Sequence, residues 1–232
     1  MRLLLTAIKQ FSNKSLPCPR AGLSSVFKCS EGSEHRTDGR LLLCGSSPVA
    51  LERVRGQVEV REDFISEDEE RALLQELEPG LKKKRYEFDH WDDAIHGYRE
   101  TERVQWNAAC EVVLGRVRSI AFPKGSSLLG PVHVLDLDKT GHIKPHIDSI
   151  KFCGSTIAGL SLLSDSVMRL VREDDSAEWL DLLLPRRSLY ILRDQARFSY
   201  THEILKDEES FFSGKRVPRH RRISVICRNL PA

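Results

Sequence analysis

The segment Gly141-His-Ile-Lys-Pro-His-Ile-Asp-Ser149 carries a histidine and an aspartate two residues apart, at His146 and Asp148. Side chains along an extended strand repeat every two residues, so these two point to the same face. The segment therefore predicts a strand end that aims one imidazole and one carboxylate at a single point.

Short runs of β-forming residues surround this segment from Pro131 onward. They are separated by turn residues and preceded by helical patterns, a texture typical of a double-sheet barrel. We predict an α+β protein of jelly-roll type, with N-terminal helices packed on the outside of one sheet. The predicted strands are 132–137, 143–149, 156–163, 167–172, 179–184, 189–192, 198–204 and 223–228.

Two helices are predicted before these strands. Ser66 and Glu69 form a capping-box pattern in front of regularly spaced leucines, which predicts a helix over residues 67–77. Pro79-Gly80 is predicted to end it. The spacing of apolar residues predicts a second helix over residues 103–122.

A second histidine from another strand would complete a set of two histidines and one carboxylate, which leaves open coordination positions on a non-haem Fe(II). His202 is the candidate, since it lies 56 residues after His146 (202 − 146) and leaves room for four intervening strands. Zinc is a rival metal. Its catalytic sites commonly use three histidines or a His-Glu-x-x-His helix, and His202-Glu203 is not followed by a histidine at the required place.

His142 is a rival ligand, because it precedes His146 by four residues and would share its face on an unbroken strand. Pro145 and Gly141 predict a bend between the two histidines. We retain His146 because only it is followed by an aspartate at the second position. Four other histidines are predicted to be satisfied surface or core residues: His35, His90, His96 and His220.

Arg222 and Arg228 lie six residues apart, an even spacing that places both guanidinium groups on one face of a strand. Two inward-facing arginines are costly to bury unless they meet anions, and a dicarboxylate such as 2-oxoglutarate suits them. Arg222 would hold the distal carboxylate and Arg228 would orient the end that chelates the metal. Tyr190 is a candidate hydroxyl donor to the same carboxylate. The alternatives are an exposed, charged edge strand for the arginines and a core position for Tyr190.

The composition is ordinary for a globular protein. The chain has 232 residues, of which 40% are hydrophobic and 30% charged, and its formal net charge is +2. This balance neither demands nor excludes a nucleic-acid partner. No apolar run reaches the length of a membrane span. The six cysteines include no Cys-x-x-Cys pair, so we predict reduced thiols.

The first thirty residues are basic and serine-rich, and the first acidic residue is Glu31. This composition is typical of a mitochondrial transit peptide, with a disordered N-terminus as the alternative. We predict a transit peptide over residues 1–30, a linker over 31–50 and one domain over 51–232.

The combination of His-x-Asp, a distal histidine and two arginines six residues apart resembles the AlkB family of Fe(II)- and 2-oxoglutarate-dependent dioxygenases. The resemblance to the mitochondrial branch of that family covers roughly residues 54–230 and includes Tyr86-Glu-Phe-Asp-His-Trp-Asp92, Ala94-Ile-His-Gly97, residues 143–154 and residues 222–228. It implies a double-stranded β-helix that uses Fe(II), 2-oxoglutarate and O2. It also implies iron ligands and 2-oxoglutarate binders, which are His146, Asp148 and His202, and Tyr190, Arg222 and Arg228.

The resemblance further implies a mitochondrial matrix enzyme that couples decarboxylation of 2-oxoglutarate to hydroxylation or N-demethylation of a protein, a metabolite or a methylated RNA. It implies roles in regulated necrosis after alkylation damage and in fatty-acid metabolism. One departure is that DNA-repairing relatives carry an Asn and a Tyr that touch the co-substrate where this chain has Leu135 and Leu137. Duplex DNA is not expected as a substrate, because the place for a base-flipping lid holds an acidic, aromatic segment over 86–93 that is predicted to be a loop or irregular strand.

Two alternative functions remain open. The chain could be a non-catalytic adaptor that binds iron and 2-oxoglutarate and signals through mitochondrial protein partners, or a cupin-like enzyme with a different metal. The basic run Lys82-Lys-Lys-Arg85 is predicted to be a solvated face rather than a phosphate site.

Overall fold

The structure, a computed structural model, describes residues 36–37, 40–88 and 94–231. Its helices are α1 (Pro48–Arg53), α2 (Glu67–Leu81), α3 (Ala108–Ala121) and α4 (Asp194–Phe198), with one 3-10 turn at Asp207–Glu209. Its strands are β1 (Arg36–Thr37), β2 (Arg40–Leu41), β3 (Leu43–Gly45), β4 (Val58–Arg61), β5 (Ile95–Arg103), β6 (Val132–His146), β7 (Thr156–Leu162), β8 (Ser166–Arg172), β9 (Trp179–Leu184), β10 (Ser188–Arg193), β11 (Tyr200–Ile204), β12 (Phe211–Phe212), β13 (Lys215–Arg216) and β14 (Arg222–Arg228).

The main strands form a nearly closed, barrel-like sandwich of antiparallel pairs, which confirms the predicted jelly roll. The order across the sheet is β3-β9-β8-β11-β6-β14-β7-β10-β4, and β5 pairs with β6 outside this path. Neighbours in the sheet are often distant in the chain, as the predicted long return from His146 to His202 requires. The strands β7, β8, β9 and β10 lie between these two residues in the sequence.

The strand β6 belongs to both halves of the barrel. Its first half pairs with β14, where Leu137 faces Arg222, and its end pairs with β11, where His146 faces His202. The sequence predicted two separate strands here, and the structure corrects this to one continuous strand. The register of its pairing with β5 shifts near Gly141, where a side chain would collide with the carbonyl oxygen of Gly97 on β5.

Two hydrophobic cores lie on opposite faces of β6. Leu135 and Leu137 point into the barrel, where they pack with Tyr190 and Ile143. Val134, on the other face, packs with the leucines and valines of α2 and α3. This alternation confirms that the helices cover the outside of one sheet, and it leaves the barrel interior for the functional residues.

The helix α2 passes through the proline that was predicted to end it. Ser66 and Glu69 form the predicted capping box, but the helix continues beyond Pro79-Gly80 to Leu81. Leu81 is fully buried in the outer core, on the same face as Leu77. Burial of this last turn therefore outweighs the hydrogen bond that the proline cannot donate.

The strand β5 was not predicted. It occupies Ile95–Arg103, so the second helix begins at Ala108 rather than at residue 103. Asn107 caps that helix, because its side chain accepts a hydrogen bond of 2.9 Å from the backbone N–H of Cys110. The predicted loop over 86–93 falls partly on residues that the structure does not describe.

Folded structure begins before the predicted domain boundary at residue 51. β3 lies inside the predicted linker and pairs with β9, and Ser47 caps α1. The predicted transit peptide over residues 1–30 lies outside the described residues. Within the described ranges, no helix is both long and apolar enough to cross a membrane. Four buried cysteines in these ranges form no disulfide: Cys44, Cys110, Cys153 and Cys227.

Candidate metal centre and co-substrate pocket

The three predicted metal ligands come together at one mouth of the barrel. His146 ends β6, Asp148 follows it in an irregular segment, and His202 lies opposite His146 on β11. One potential ligand atom from each side chain lies within 4.8 Å of the others. The cross-strand pairing of His146 with His202 therefore provides what the local sequence could not, namely the third member of the set.

The distances within this cluster suit a single ion. Oδ1 of Asp148 lies 3.3 Å from Nε2 of His146 and 3.6 Å from Nε2 of His202. Ligands about 2.1 Å from a metal and at right angles to one another are about 3 Å apart. Nδ1 of His146 lies 2.9 Å from the carbonyl oxygen of Lys144, to which it can donate, and this contact turns Nε2 towards Asp148.

The electrostatics of the cluster favour the ligand-competent forms of Asp148 and His202. Burial opposes ionisation of Asp148, but the charge of Arg228 and the hydrogen bond from His146 hold the pKa of this carboxyl well below its usual range. Burial and the neighbouring His146 lower the pKa of His202 to about 3, so this imidazole is neutral. Burial also opposes a charge on His146, yet its hydrogen bond to Asp148 raises the pKa of this histidine.

Arg228 connects the cluster to a second polar chain. Its Nε donates to Oδ2 of Asp148 at 2.8 Å, and its Nη1 lies 3.5 Å from Nδ1 of His133. Nε2 of His133 lies 2.8 Å from Oε2 of Glu100 on β5. Since arginine only donates, this chain requires the proton of His133 to sit on Nε2, pointing at Glu100.

Arg222 lies deeper in the barrel and is 1% exposed. Its Nε donates to Oγ of Ser161 at 2.9 Å, and its Nη2 has no hydrogen-bond partner among the described residues. In the part of the chain that the structure describes, no carboxylate forms a salt bridge with Arg222. A buried cation without a counter-ion is costly, so this pocket fits an anion such as the distal carboxylate of a dicarboxylic acid.

Tyr190 completes the pocket beside Arg222. Tyr190 is 4% exposed, and burial raises the pKa of its hydroxyl, so the phenol is neutral and able to donate a hydrogen bond. The ring stands over Gly159 of β7, where an added Cβ would come within 2.5 Å of the ring carbon Cε1. Gly159 is therefore the residue that makes room for Tyr190, and sequence reasoning did not identify it.

The rival His142 points elsewhere. Its ring stacks on that of His96, with 4.8 Å between centroids and 8° between planes, and it does not belong to the cluster of His146, Asp148 and His202. Burial lowers the pKa of His142. The basic run after α2 is exposed, as predicted. Three polar residues beside the site were missed, because each acts through a partner distant in sequence: Glu100, His133 and Arg197.

Comparison with known proteins identifies relatives along most of the chain. No protein-family model matches it. Over 187 residues it is 60% identical to the mouse protein named alpha-ketoglutarate-dependent dioxygenase alkB homolog 7, mitochondrial. The aligned residues cover 81% of this chain and 85% of the mouse protein. The bovine protein of the same name shows the same identity and coverage.

Solved structures share the fold at low sequence identity. OsALKBH1 superimposes with a TM-score of 0.52 at 12% identity, over 74% of this chain and 97% of that one. A prolyl-4-hydroxylase of Pseudomonas putida gives a TM-score of 0.56 at 14% identity, over 79% and 98% of the two chains. At such identities the likeness shows the fold alone.

Proposed function

Because the chain belongs to the AlkB homolog 7 family of alpha-ketoglutarate-dependent dioxygenases, we propose that His146, Asp148 and His202 hold the Fe(II) on which these enzymes depend. We further propose that Arg222, Arg228 and Tyr190 bind 2-oxoglutarate. Bound iron and 2-oxoglutarate together supply the activation of O2, with succinate and carbon dioxide as products of the co-substrate.

The proposal rests on two features inside one barrel, a cluster of potential metal ligands and a buried cation that has no carboxylate partner in the described chain. The His146–Asp148–His202 cluster gathers ligand atoms within 4.8 Å of one another, and Arg222 is a buried cation without a carboxylate partner in the described chain. A metal ion suits the ligand cluster, and a dicarboxylate suits the buried guanidinium of Arg222. A 2-oxo dicarboxylic acid can meet both at once, because one end chelates and the other end is anionic.

The protein contributes position and electrostatics to the reaction. Arg228 holds Oδ2 of Asp148 and keeps that carboxylate ionised, while Oδ1 stays directed at the histidines. Leu135 and Leu137 wall the barrel interior where DNA-repairing relatives carry polar residues, so the hold on the co-substrate depends on Arg222, Arg228 and Tyr190. The apolar wall also excludes water from the pocket.

For the substrate, we propose a protein, a metabolite or a methylated RNA that is hydroxylated or N-demethylated, and not duplex DNA. The basic residues after α2 are tied to the outside of the barrel, since Nη1 of Arg99 donates to the carbonyl of Lys84 at 3.2 Å. Arg99 itself pairs with the outward-facing Asp136. These cations are therefore poorly placed to grip a duplex at the iron site.

For the location, we propose the mitochondrial matrix. The mouse and bovine relatives are named mitochondrial, and the basic, acid-free first thirty residues suit import. In the same proposal, the domain over 51–232 extends towards the N-terminus to include β3 and α1.

We also propose a role in regulated necrosis after alkylation damage and in fatty-acid metabolism, on the family resemblance alone.

The test is succinate formation from 2-oxoglutarate by the purified full chain with Fe(II) and O2. Wild type should form succinate, and Asp148→Ala should not. Asp174→Ala, which removes an exposed carboxylate that pairs with Arg172, is the matched control and should retain the activity. Separate reactions containing mitochondrial peptides, mitochondrial small molecules, methylated RNA and methylated duplex DNA should show stimulation by one of the first three.

Three results would count against parts of the proposal. If wild type forms succinate no faster than Asp148→Ala, even with mitochondrial extract, the proposed dioxygenase activity is contradicted. If 2-oxoglutarate still binds in that case, the chain is the non-catalytic adaptor. Stimulation by methylated duplex DNA contradicts the exclusion of that substrate.

A further inference from the structure

Arg197, near the end of α4, is a large charged side chain with almost no access to solvent. It is 1% exposed, and the aromatic ring of the next residue, Phe198, lies 4.7 Å from its guanidinium carbon. In the described chain, no carboxylate is salt-bridged to Arg197. Neither the metal nor the co-substrate pocket as described so far uses it, so its burial requires an explanation.

Arg197 donates to main-chain carbonyls of one loop through Nε and Nη2, while its Nη1 has no hydrogen-bond partner among the described residues. Nε donates to the carbonyl of Gly154 at 2.9 Å, and Nη2 donates to the carbonyl of Cys153 at 3.1 Å and to that of Ser149 at 3.3 Å. A planar fork with several fixed donors can serve three acceptors in this way, whereas a lysine ammonium concentrates its donors at one point.

The loop that Arg197 grips begins directly after Asp148, since Ser149 is the next residue. At its other end, the backbone N–H of Asp194, the first residue of α4, donates to the carbonyl of Ser155 at 2.9 Å. Five residues after Arg197 the chain reaches His202 on β11. One buried side chain thus joins the segment that carries Asp148 to the helix that leads into His202.

We propose that Arg197 is a positioning residue for the metal centre, which fixes the main chain around Asp148 relative to the strand that carries His202. The inference rests on the proposed function, because it assumes that these side chains bind the metal. Asp148 is then held from two sides, because Arg228 holds its carboxylate and Arg197 holds the carbonyl of the next residue, Ser149.

The proposal predicts a loss of metal affinity without a loss of fold. Groups that orient metal ligands typically contribute 10- to 100-fold to affinity. Arg197→Met removes all three contacts and fills a similar volume, so Mn(II), an oxygen-inert stand-in for Fe(II), should bind about 10- to 100-fold more weakly. Arg197→Lys keeps the charge but reaches fewer carbonyls, and its affinity should fall between those of wild type and Arg197→Met.

The experiment titrates Mn(II) into the purified full chain by electron paramagnetic resonance, at a temperature below the unfolding midpoint of every variant. Anaerobic Fe(II) and 2-oxoglutarate provide a second readout, the visible charge-transfer band, whose position reports ligand geometry. Arg193→Met is the matched control, because Arg193 lies four residues earlier and contacts Glu59 and the carbonyl of Ile120 instead of the loop. It should bind Mn(II) as wild type does.

The outcomes separate this inference from the proposed function. Arg197 variants that bind Mn(II) within twofold of wild type, with an unshifted band, overturn the positioning role while the metal site stands. A wild-type chain that binds neither Mn(II) nor Fe(II) overturns both. If Arg197→Met does not fold, Arg197→Lys decides, and wild-type affinity and an unshifted band in that variant overturn the role.

Discussion

Arg228 donates from Nε to Oδ2 of Asp148 at 2.8 Å, and this bond leaves Oδ1 of the same carboxylate facing the two histidines. One oxygen is anchored and the other is available. The anchor also belongs to the strand that carries Arg222, so the metal cluster and the anion pocket share one structural element, β14.

Replacing Arg228 by alanine should weaken 2-oxoglutarate binding while a metal still binds. The three proposed metal ligands are retained, so a metal still binds, although more weakly because Oδ2 of Asp148 loses its anchor. The positive charge that faces the chelating end of the co-substrate is also lost. We expect a loss of about 2 kcal/mol or more in the binding of 2-oxoglutarate, as for other buried charge partners. Calorimetric titration of the Mn(II)-loaded chain measures it, and unchanged affinity would contradict the role.

Replacing Arg222 by methionine should have opposite effects on the free chain and on its complex. The free chain loses a buried cation that has no carboxylate partner in the described part, so its unfolding midpoint should rise or stay unchanged. Binding of 2-oxoglutarate should weaken by about 2–5 kcal/mol. Thermal unfolding with and without 2-oxoglutarate measures both, and co-substrate protection equal to that of wild type would refute the assignment.

Gly159→Ala should damage the co-substrate pocket through sterics alone. The new Cβ would come within 2.5 Å of the Tyr190 ring and its hydroxyl oxygen, so the ring must move away from Arg222. We expect a destabilisation of about 1–3 kcal/mol and weaker 2-oxoglutarate binding. Gly115→Ala, in α3 with open space around it, is the control and should be neutral or stabilising. Normal 2-oxoglutarate binding by the Gly159→Ala chain would contradict the assignment of Tyr190 to the pocket.

Glu203 should make the protein less stable as the pH rises. Burial raises the pKa of this carboxyl from 4.5 to about 7, against the opposing charge of Arg169, which is committed to Asp181. Between pH 4.5 and 7 the folded chain therefore holds more protons than the unfolded chain, and the free energy of unfolding falls as the pH rises through that window.

Glu203→Gln removes this dependence and should stabilise the chain by about 1 kcal/mol at pH 8, with little change at pH 5, after allowance for solvent screening. The measurement is the unfolding midpoint at both pH values. Glu173→Gln, at an exposed carboxylate, is the control. An equal shift at both pH values would show that the effect is not ionisation of Glu203.

Local spacing in the sequence predicted most of the residues that the structure gathers at the site. His146 and Asp148 are two residues apart, and Arg222 and Arg228 are six apart, so strand geometry alone places the members of each pair on one face. His202 required the additional assumption of a fold that returns distant strands to one mouth, and the pairing of β6 with β11 supplies that return.

The strand β5 was missed because its sequence lacks the apolar alternation of a half-buried strand. Its polar residues are held by partners from other elements, as Arg99 is by Asp136 and Arg103 is by Glu76. These ion pairs cannot be read from spacing within the strand. The same limit applies to Arg197, whose three acceptors lie more than forty residues away in the chain.

The order of strands in the sheet determines when the site can exist. β14 follows every other described strand in the sequence, yet it lies between β6 and β7 in the sheet. A chain emerging from synthesis or import therefore has the three proposed metal ligands before it has Arg222 and Arg228. The chain can bind 2-oxoglutarate only after β14 has inserted between β6 and β7. An incompletely folded chain that captured iron would therefore lack the co-substrate needed to activate oxygen.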